Sequence, residues 1–325
     1  MPMNVAGTPT SKIGVLTNLK AGGRSRKTDA VLAEAGRHAG LVHRVTPSSV
    51  EVPAAVAEFA DRGIELLVVN GGDGTLQRVL TEILGHTPGW RPRIAPLRSG
   101  RTNMAALDFG ASRSPVLGLR NLVEDARRGS LAPRVCSRPV LRMELTGEGT
   151  PHFGMFFGAG AVYRAIQLTH RSFPKGKAQG VLGGAVMIAT FLPQLLSGRR
   201  AGVLAPDKVQ LTLDEQLAGT DTYLVVAAST LDRLFLRMRP FWGEGPGPVR
   251  LTTMTSGARG IGRALPQILR GLPPTRVTDG FESCNAHEGR FRLDCGVTLD
   301  GELFAPKSER VVRLTAPERV DFLRA

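Results

Sequence analysis

The feature that most constrains this chain is a glycine-rich run between an apolar segment and an amphipathic one. Residues 64–69 (IELLVV) are almost continuously apolar, as in a strand buried on both faces of a sheet. The run Gly71–Thr75 (GGDGT) follows, and residues 75–84 then place apolar side chains at helical spacing. Because parallel α/β sheets bind ligands at the carboxyl ends of their strands, this run predicts a ligand-binding turn.

The sequence alternates in the same way over about the first 128 residues. Apolar runs predict strands at 12–18, 41–45 and 93–96, and periodic segments predict helices at 29–39 and 51–62. Alternation of this kind implies a parallel sheet with right-handed crossovers. The first part of the chain is therefore predicted to be an α/β domain.

The pattern changes beyond residue 128, where Gly, Pro and Ser cluster between Gly129 and Pro139. Short apolar runs separated by turns then predict a mostly antiparallel β region, with one helical insertion near 178–197. Residues 178–198 carry no charge. Three alternatives stay open for them: a helix that covers the sheet, a helix that also borders an apolar pocket or touches a membrane, and a transmembrane span.

The charge balance favours anionic partners. The chain has 42 basic and 28 acidic residues, which gives a net charge of +14. Such a surface favours nucleotides, nucleic acid or an anionic membrane. Aromatic residues make up only 5%, so the sequence is poor in the side chains on which nucleic-acid bases stack. We therefore expect no nucleic-acid partner.

Cysteine usage and the start of the sequence indicate a reducing compartment. The three cysteines are too few and too scattered for a disulfide framework. Residues 1–12 contain no apolar stretch, so we expect no signal peptide and a cytoplasmic location.

The residue types in the glycine-rich run suit phosphate chemistry. Its three glycines let backbone N–H groups approach an anion, and the following helix adds a favourable dipole. Asp73 would repel phosphate unless Mg²⁺ lay between them. The alternative is a tight turn in which Asp73 caps the helix. The spacing excludes both the P-loop and the dinucleotide-binding pattern.

The run resembles the signature shared by diacylglycerol kinases, sphingosine kinases, bacterial lipid kinases and, more remotely, NAD kinases. Three further segments resemble elements of that family in the expected order. They are a second nucleotide loop at 94–105, a Gly-x-Gly element at 157–165 and an Asp-Gly-Glu strand at 297–302. The chain departs from the family pattern at Gln77, where Asn is usual, and at Arg101, where Thr is usual.

The resemblance implies a two-domain fold. An α/β nucleotide-binding domain at 10–132 would be joined to an antiparallel β-sandwich domain at 133–311, with the active site in the cleft between them. Residues 312–325 would pack back on the first domain. Relatives often form homodimers, so a homodimer is also expected.

The activity that the resemblance implies is that of a lipid kinase in phospholipid biosynthesis. The enzyme would use ATP and Mg²⁺ and transfer the γ-phosphate to a lipid hydroxyl, first of all that of diacylglycerol, at an anionic membrane surface. It would then be peripheral at the inner face of the membrane. A sphingosine- or ceramide-type kinase, an NAD kinase and a non-catalytic nucleotide- or lipid-binding regulator stay open as alternatives.

The resemblance also implies roles for single residues. The general base would be Asp300 or Glu302, and an x-Gly-x spacing on one strand would place both side chains on the same face. The alternative is an ordinary turn that carries two acidic residues. Asp73 would organise Mg²⁺ and the phosphates. A structural Mg²⁺ would lie at Asp232 and Leu234, with a salt-bridged surface loop as the alternative. The expected nucleotide contacts are Thr46, Gly71, Gly72, Asp73, Gly74, Thr75, Gln77, Gly100, Arg101, Thr102 and Asn103, and Arg101 could act there as a charge clamp on phosphate.

Overall fold

The structure is a computed structural model that describes residues 12–20, 26–172, 200–274 and 279–325. The chain divides into two compact units. The first unit runs to Arg138 and also includes Arg319–Ala325, and the second unit is Pro139–Glu318. The uncharged stretch at 178–198, with its predicted helix, lies outside the described residues.

The first unit contains a six-stranded sheet in the order β2-β1-β3-β4-β17-β5. Its strands are β1 (Ile13–Asn18), β2 (Val42–Thr46), β3 (Leu66–Asn70), β4 (Arg93–Pro96), β5 (Val135–Pro139) and β17 (Arg319–Leu323). Its α-helices are α1 (Arg26–Gly36), α2 (Val52–Asp61), α3 (Asp73–Thr81), α4 (Met104–Asp108) and α5 (Pro115–Arg127). The pairings of β2 with β1, β1 with β3, β3 with β4 and β4 with β17 are all parallel.

Local sequence explains why these elements form where they do. Strands β1 and β3 are buried along their whole length, which accounts for their continuous apolar character. Helix α5 begins after Ser114, whose side-chain oxygen accepts a hydrogen bond from the Leu117 N–H, and Pro115 occupies its first turn. The helix ends before Gly129, which adopts a positive φ of 70°.

The last strand of the chain returns to the first sheet. Strand β17 lies between β4 and β5, and the Phe322 ring stacks on Phe109 with ring centroids 4.3 Å apart. The return begins at Arg319, because the preceding segment still pairs within the second unit. Residues 312–318, which the sequence analysis grouped with the first domain, are therefore part of the second unit.

The described residues of the second unit form an eleven-stranded sheet. Its strands are β6 (Leu141–Leu145), β7 (His152–Gly154), β8 (Phe156–Gly160), β9 (Asp207–Leu213), β10 (Gln216–Ser229), β11 (Val249–Thr255), β12 (Phe281–Ala286), β13 (Glu288–Leu293), β14 (Val297–Leu299), β15 (Glu302–Phe304) and β16 (Arg310–Thr315). The pairings between them are antiparallel. Two helices accompany the sheet in the described residues: α6 (Ala161–Ser172) and α7 (Ile261–Ile268).

Strand β10 organises the second unit because it has three neighbours. Residues 216–223 pair with β9, whereas 225–229 lie between β8 and β11. The register shifts near Leu217 and again near Tyr223, and such irregularities bend and twist a strand. The predicted combination of an α/β domain with an antiparallel β domain is confirmed. Across the described ranges, no helix is long and apolar enough to cross a membrane.

Candidate functional site

Buried polar side chains lie where the first three parallel strands end. The Asn18 side-chain amide donates to the Thr75 hydroxyl at 3.0 Å, and the Asn70 amide donates to the Thr17 hydroxyl at 3.1 Å. The Thr46 hydroxyl donates to the Thr17 carbonyl at 3.4 Å. All five side chains are buried. Thr46 was predicted here, whereas Thr17, Asn18 and Asn70 were missed, although each falls at the carboxyl end of a predicted strand.

The side-chain oxygen Oδ1 of Asn70 in this cluster is buried and has no hydrogen-bond partner in the described part of the chain. Nearby, the Thr17 hydroxyl lies 3.0 Å from Nε2 of His43. Burial lowers the pKa of His43, so the ring is neutral at physiological pH. The strand ends therefore supply hydrogen-bonding groups without a net charge.

The glycine-rich run forms the turn from β3 into α3. Gly72 is the N-cap of α3, and its carbonyl accepts from the N–H groups of Thr75 and Leu76, both at 3.0 Å. A Cβ atom on Gly71 would lie 2.6 Å from the Cβ of Thr75. Because Thr75 in the first turn of α3 packs this closely on Gly71, only glycine fits at position 71.

The second glycine loop, residues 97–103, contacts this turn backbone to backbone. A Cβ atom on Gly100 would lie 2.3 Å from the Cα of Gly72. The Asp73 carboxylate joins the two loops, because one oxygen accepts from the Thr102 hydroxyl at 2.6 Å and the other from the Ala105 N–H at 3.1 Å. The structure thus brings together four of the predicted nucleotide contacts: Gly72, Asp73, Gly100 and Thr102.

Asn103 holds the second loop in shape. It adopts a left-handed backbone conformation with φ of 50°, which Asn tolerates better than most residues. Its side-chain oxygen accepts from the Gly100 N–H at 2.7 Å, and its amide donates to the Gly100 carbonyl at 2.9 Å. Asn103 therefore closes the loop on itself directly before α4 begins.

A pocket opens where the two loops meet. Residues of β3, of both loops, of α3 and of α4 line it: Val69, Gly71, Gly72, Asp73, Leu76, Pro96, Leu97, Asn103 and Ala106. The pocket thus combines apolar walls with bare glycine backbone and one carboxylate. It lies at the carboxyl ends of the parallel strands, where the sequence predicted a ligand.

Arg101 brings a cation to the second loop. Its side chain is partly buried, and its Nε atom is buried without a hydrogen-bond partner among the described residues. Burial lowers the pKa of the Arg101 guanidinium. A desolvated cation of this kind gains much from an anionic ligand, because ionic hydrogen bonds are stronger than neutral ones.

Gln77, also a predicted nucleotide contact, lies on the packed face of α3. Its side chain is buried, and its amide donates to the Thr81 hydroxyl at 3.1 Å along the same helix. The structure therefore places Gln77 in the helix packing, apart from the loop residues that line the pocket.

Asp300 and Glu302 do not share one strand face as predicted. Strand β14 ends at Leu299, Asp300 and Gly301 form a two-residue hairpin turn, and β15 starts at Glu302. Both turn residues have positive φ, 49° for Asp300 and 89° for Gly301, as a type I′ turn requires. Asp300 is consequently buried, whereas Glu302 is exposed.

The hairpin delivers the Asp300 carboxylate to the junction of β7 and β8. One oxygen accepts from the Met155 N–H at 2.8 Å and the other from the Phe156 N–H at 2.9 Å. A Cβ atom on Gly154 would lie 2.6 Å from the Asp300 carboxylate, so glycine is needed there. The two hydrogen bonds thereby hold the carboxylate in one orientation.

The segment expected to hold a structural metal contains an ion pair. An Asp232 oxygen accepts from Nη2 of Arg250 at 2.6 Å, and the Arg250 side chain also donates to the Leu231 carbonyl. Leu234 is buried. The salt-bridged loop is therefore present, and magnesium at Asp232 and Leu234 stays a prediction. No group of three or more His, Cys, Asp or Glu side chains suited to a metal occurs in the described ranges.

The paired loops of the first unit fit a phosphate group. Gly71 and Gly72 line the pocket at the N-terminus of α3, where the helix dipole favours an anion. Asp73 uses one lone pair on each oxygen for Thr102 and Ala105. Because Mg²⁺ in kinase sites takes one or two carboxylates together with substrate phosphates, the remaining lone pairs of Asp73 could ligate it.

Comparison with known proteins agrees with this site. Residues 12–131 match the family model of the diacylglycerol kinase catalytic domain. The chain is 24% identical over 306 residues to a YegS-like probable lipid kinase of Enterobacter sp. (strain 638), covering 89% of this chain and 90% of the relative.

Two solved structures share the fold. A candidate diacylglycerol kinase from Bacillus anthracis str. Sterne superposes with a TM-score of 0.67 at 16% identity, covering 98% of each chain. Yeast NADH kinase in complex with NADH superposes with a TM-score of 0.53 at 10% identity, covering 100% of this chain and 88% of the other. Residues 12–131 are therefore similar to a diacylglycerol kinase catalytic domain, and the chain as a whole is similar to a probable lipid kinase and shares the fold of the two solved kinases.

Proposed function

We propose that the protein transfers the γ-phosphate of ATP to the hydroxyl of a lipid, with diacylglycerol as the first candidate acceptor. The observation that carries the proposal is the pair of glycine loops joined by Asp73 inside a region similar to a diacylglycerol kinase catalytic domain. Phosphoryl transfer depends mainly on positioning the phosphates and on neutralising their charge. Two glycine loops that are fixed against each other and line a pocket at a helix N-terminus would meet the first requirement.

The first unit supplies the nucleotide-binding groups in this proposal. Backbone N–H groups of the two loops bind the phosphates, and the Arg101 guanidinium adds a positive charge. Asp73 holds the loops together and would ligate Mg²⁺, which supplies charge neutralisation when bound. Asn103 keeps Gly100 in the geometry that lets the loops touch.

The second unit supplies the general base. We assign this role to Asp300 rather than to Glu302, because two backbone hydrogen bonds orient the Asp300 carboxylate whereas Glu302 is exposed. A base must be held at a fixed position relative to the hydroxyl that it deprotonates.

The test is transfer of label from γ-labelled ATP in mixed micelles that hold diacylglycerol, monoacylglycerol, ceramide or sphingosine in parallel, with and without Mg²⁺. A further arm offers NAD in detergent-free buffer. We expect label in a lipid, and most in diacylglycerol. Label in NAD instead would support the NAD kinase alternative. ATP binding without label in any acceptor would support the non-catalytic regulator.

A further inference from the structure

Two adjoining segments of the second unit expose basic and apolar side chains and contain no acidic residue. They are residues 233–242 and 257–274. The Arg239 N–H donates to the Leu269 carbonyl at 2.8 Å, so the segments are in direct contact. A Cβ atom on Gly271 would lie 3.0 Å from the Arg239 carbonyl oxygen. We refer to the surface formed by these two segments as the arginine–leucine face.

The arginine–leucine face concentrates positive charge that the protein itself does not neutralise. Its six arginines are exposed, and none of them forms an ion pair with another described residue: Arg233, Arg237, Arg239, Arg259, Arg263 and Arg270. Other arginines of the same unit are paired, as in Arg164–Asp207, Arg250–Asp232 and Arg313–Glu288. Unpaired charge of one sign on one surface indicates an anionic partner.

The same face also presents large apolar side chains to solvent. Leu236 is 46% exposed and Leu272 is 52% exposed. Leu236 and Arg237 both have positive φ, 55° and 60°, a conformation that is unfavourable for residues with a Cβ atom. The turn therefore holds Leu236 outward at a conformational cost, and contact with an apolar medium would offset that cost.

We propose that the arginine–leucine face docks on a bilayer that contains anionic lipid. Arginines would contact the headgroup phosphates, and the two leucines would enter the boundary between headgroups and acyl chains. The inference rests on the proposed function, since an enzyme that phosphorylates a membrane lipid has to reach it there. Its most exposed apolar side chains are leucines, and the aromatic residues of the face, Phe235, Phe241 and Trp242, are only partly exposed, which favours a bilayer over nucleic acid.

The test is cosedimentation of the full chain with vesicles of phosphatidylcholine alone or mixed with phosphatidylglycerol. The charge variant combines Arg237→Gln, Arg239→Gln and Arg270→Gln. The apolar variant combines Leu236→Asn and Leu272→Asn, and Asn is well tolerated at the positive φ of residue 236. Arg292→Gln on β13 and Leu217→Asn on β10 are matched controls, because both residues are exposed in the same unit.

We expect the wild type to bind the anionic vesicles and to leave them as salt is raised. The charge variant should bind about a hundredfold more weakly, at about fivefold per arginine. The apolar variant should bind the anionic vesicles roughly tenfold more weakly than the wild type. Its unfolding temperature should be unchanged or higher. The two control variants should bind like the wild type.

Equal binding by the wild type and both face variants would overturn the proposal, as would an equal loss in the controls. Tight binding to single-stranded DNA that only the charge variant loses, with vesicle binding unaffected by the leucine changes, would assign the face to nucleic acid instead.

A monomeric short-chain diacylglycerol separates this question from catalysis. If the arginine–leucine face acts in membrane docking, both face variants should phosphorylate the short-chain acceptor at the wild-type rate. A wild type that binds vesicles through the face but phosphorylates no acceptor would contradict only the proposed function.

Discussion

At the scale of single residues, Arg101 gives the nucleotide site a testable electrostatic signature. Its partly buried guanidinium has an unpartnered Nε atom, and burial lowers its pKa. We expect Arg101→Gln to weaken ATP binding by roughly 10- to 100-fold, the loss of one ionic hydrogen bond. Without ATP the variant should be as stable as the wild type or more so, because a desolvated charge has been removed.

Calorimetry with ATP and thermal unfolding without it measure the two effects separately. Arg113→Gln is the control, since Arg113 is an exposed residue of the same unit. A loss of stability without a loss of ATP affinity would show that Arg101 is structural.

Asp300 gives the second prediction at this scale. Asn in its place retains the left-handed backbone, but its amide can accept only one of the two N–H bonds from Met155 and Phe156. We expect Asp300→Asn to abolish phosphoryl transfer and to destabilise the second unit by about 1–3 kcal/mol.

Urea unfolding has to accompany the activity assay for this variant. Gly154→Ala is the companion variant, because its Cβ would press on the Asp300 carboxylate at 2.6 Å while the carboxylate itself stays present. Unchanged activity in folded Asp300→Asn would exclude Asp300 as the general base.

At the scale of structural elements, a substitution that disrupts the contact between the two glycine loops tests whether this contact forms the nucleotide site. Gly100→Ala would place a Cβ atom 2.3 Å from the Cα of Gly72, which forces the backbones apart. We expect a stability loss of about 1–3 kcal/mol and loss of measurable ATP binding.

Gly74→Ala is the matched control for stability. A Cβ atom at Gly74 meets nothing within 4 Å, and the residue lies inside α3. This variant should unfold at the same temperature or slightly higher, since Ala favours helix by about 0.5–1 kcal/mol over Gly. If Gly100→Ala binds ATP like the wild type, the loop contact does not form the nucleotide site.

Helices α1 and α5 are joined by an ion pair that makes stability depend on pH. The Glu34 carboxylate of this pair is buried, whereas the Arg120 side chain is partly exposed. Arg120 donates to both oxygens of Glu34, at 2.8 and 3.0 Å, and these bonds lower the pKa of Glu34 to about 2 from an ordinary value of 4.5. The stabilisation is fully present above about pH 4.5 and is lost as pH falls through about 2.

Glu34→Gln should therefore destabilise the protein at pH 7 by about 1–3 kcal/mol and flatten the decline of stability between pH 4.5 and pH 2. Urea unfolding across this range measures both effects. Glu124→Gln removes the longer and more exposed Glu124–Arg128 pair and should change little. An unchanged pH dependence in Glu34→Gln would contradict the assignment.

These elements also show which turns and contacts could be predicted from the sequence. The turn at Gly71–Thr75 was predictable because strand, glycines and helix are adjacent in the chain. A turn at Asp300–Gly301 was considered only as the alternative to a strand, although Asp-Gly between two apolar runs is itself a turn signal. The packing of Gln77 against Thr81 depends on which face of α3 is buried, and residue type alone did not decide that.

At the scale of the whole molecule, the change of pattern near residue 130 lies close to the division between the units after Arg138, and an α/β unit and an antiparallel unit differ in local periodicity. The place where the chain returns to the first unit was not located. Strand β17 pairs with β4, more than 200 residues earlier, and no local pattern carries that information.

The central claim is that this chain is an ATP-dependent lipid kinase whose paired glycine loops bind the nucleotide. The most direct measurement counts ADP and phosphorylated lipid in the same reaction, with diacylglycerol micelles, Mg²⁺ and ATP labelled at either the γ- or the α-phosphate. We expect one ADP for each phosphorylated lipid, label in the lipid from the γ-position only, and neither product with Asp73→Ala. ADP formed without phosphorylated lipid, or products that Asp73→Ala still yields at the wild-type rate, would contradict the claim.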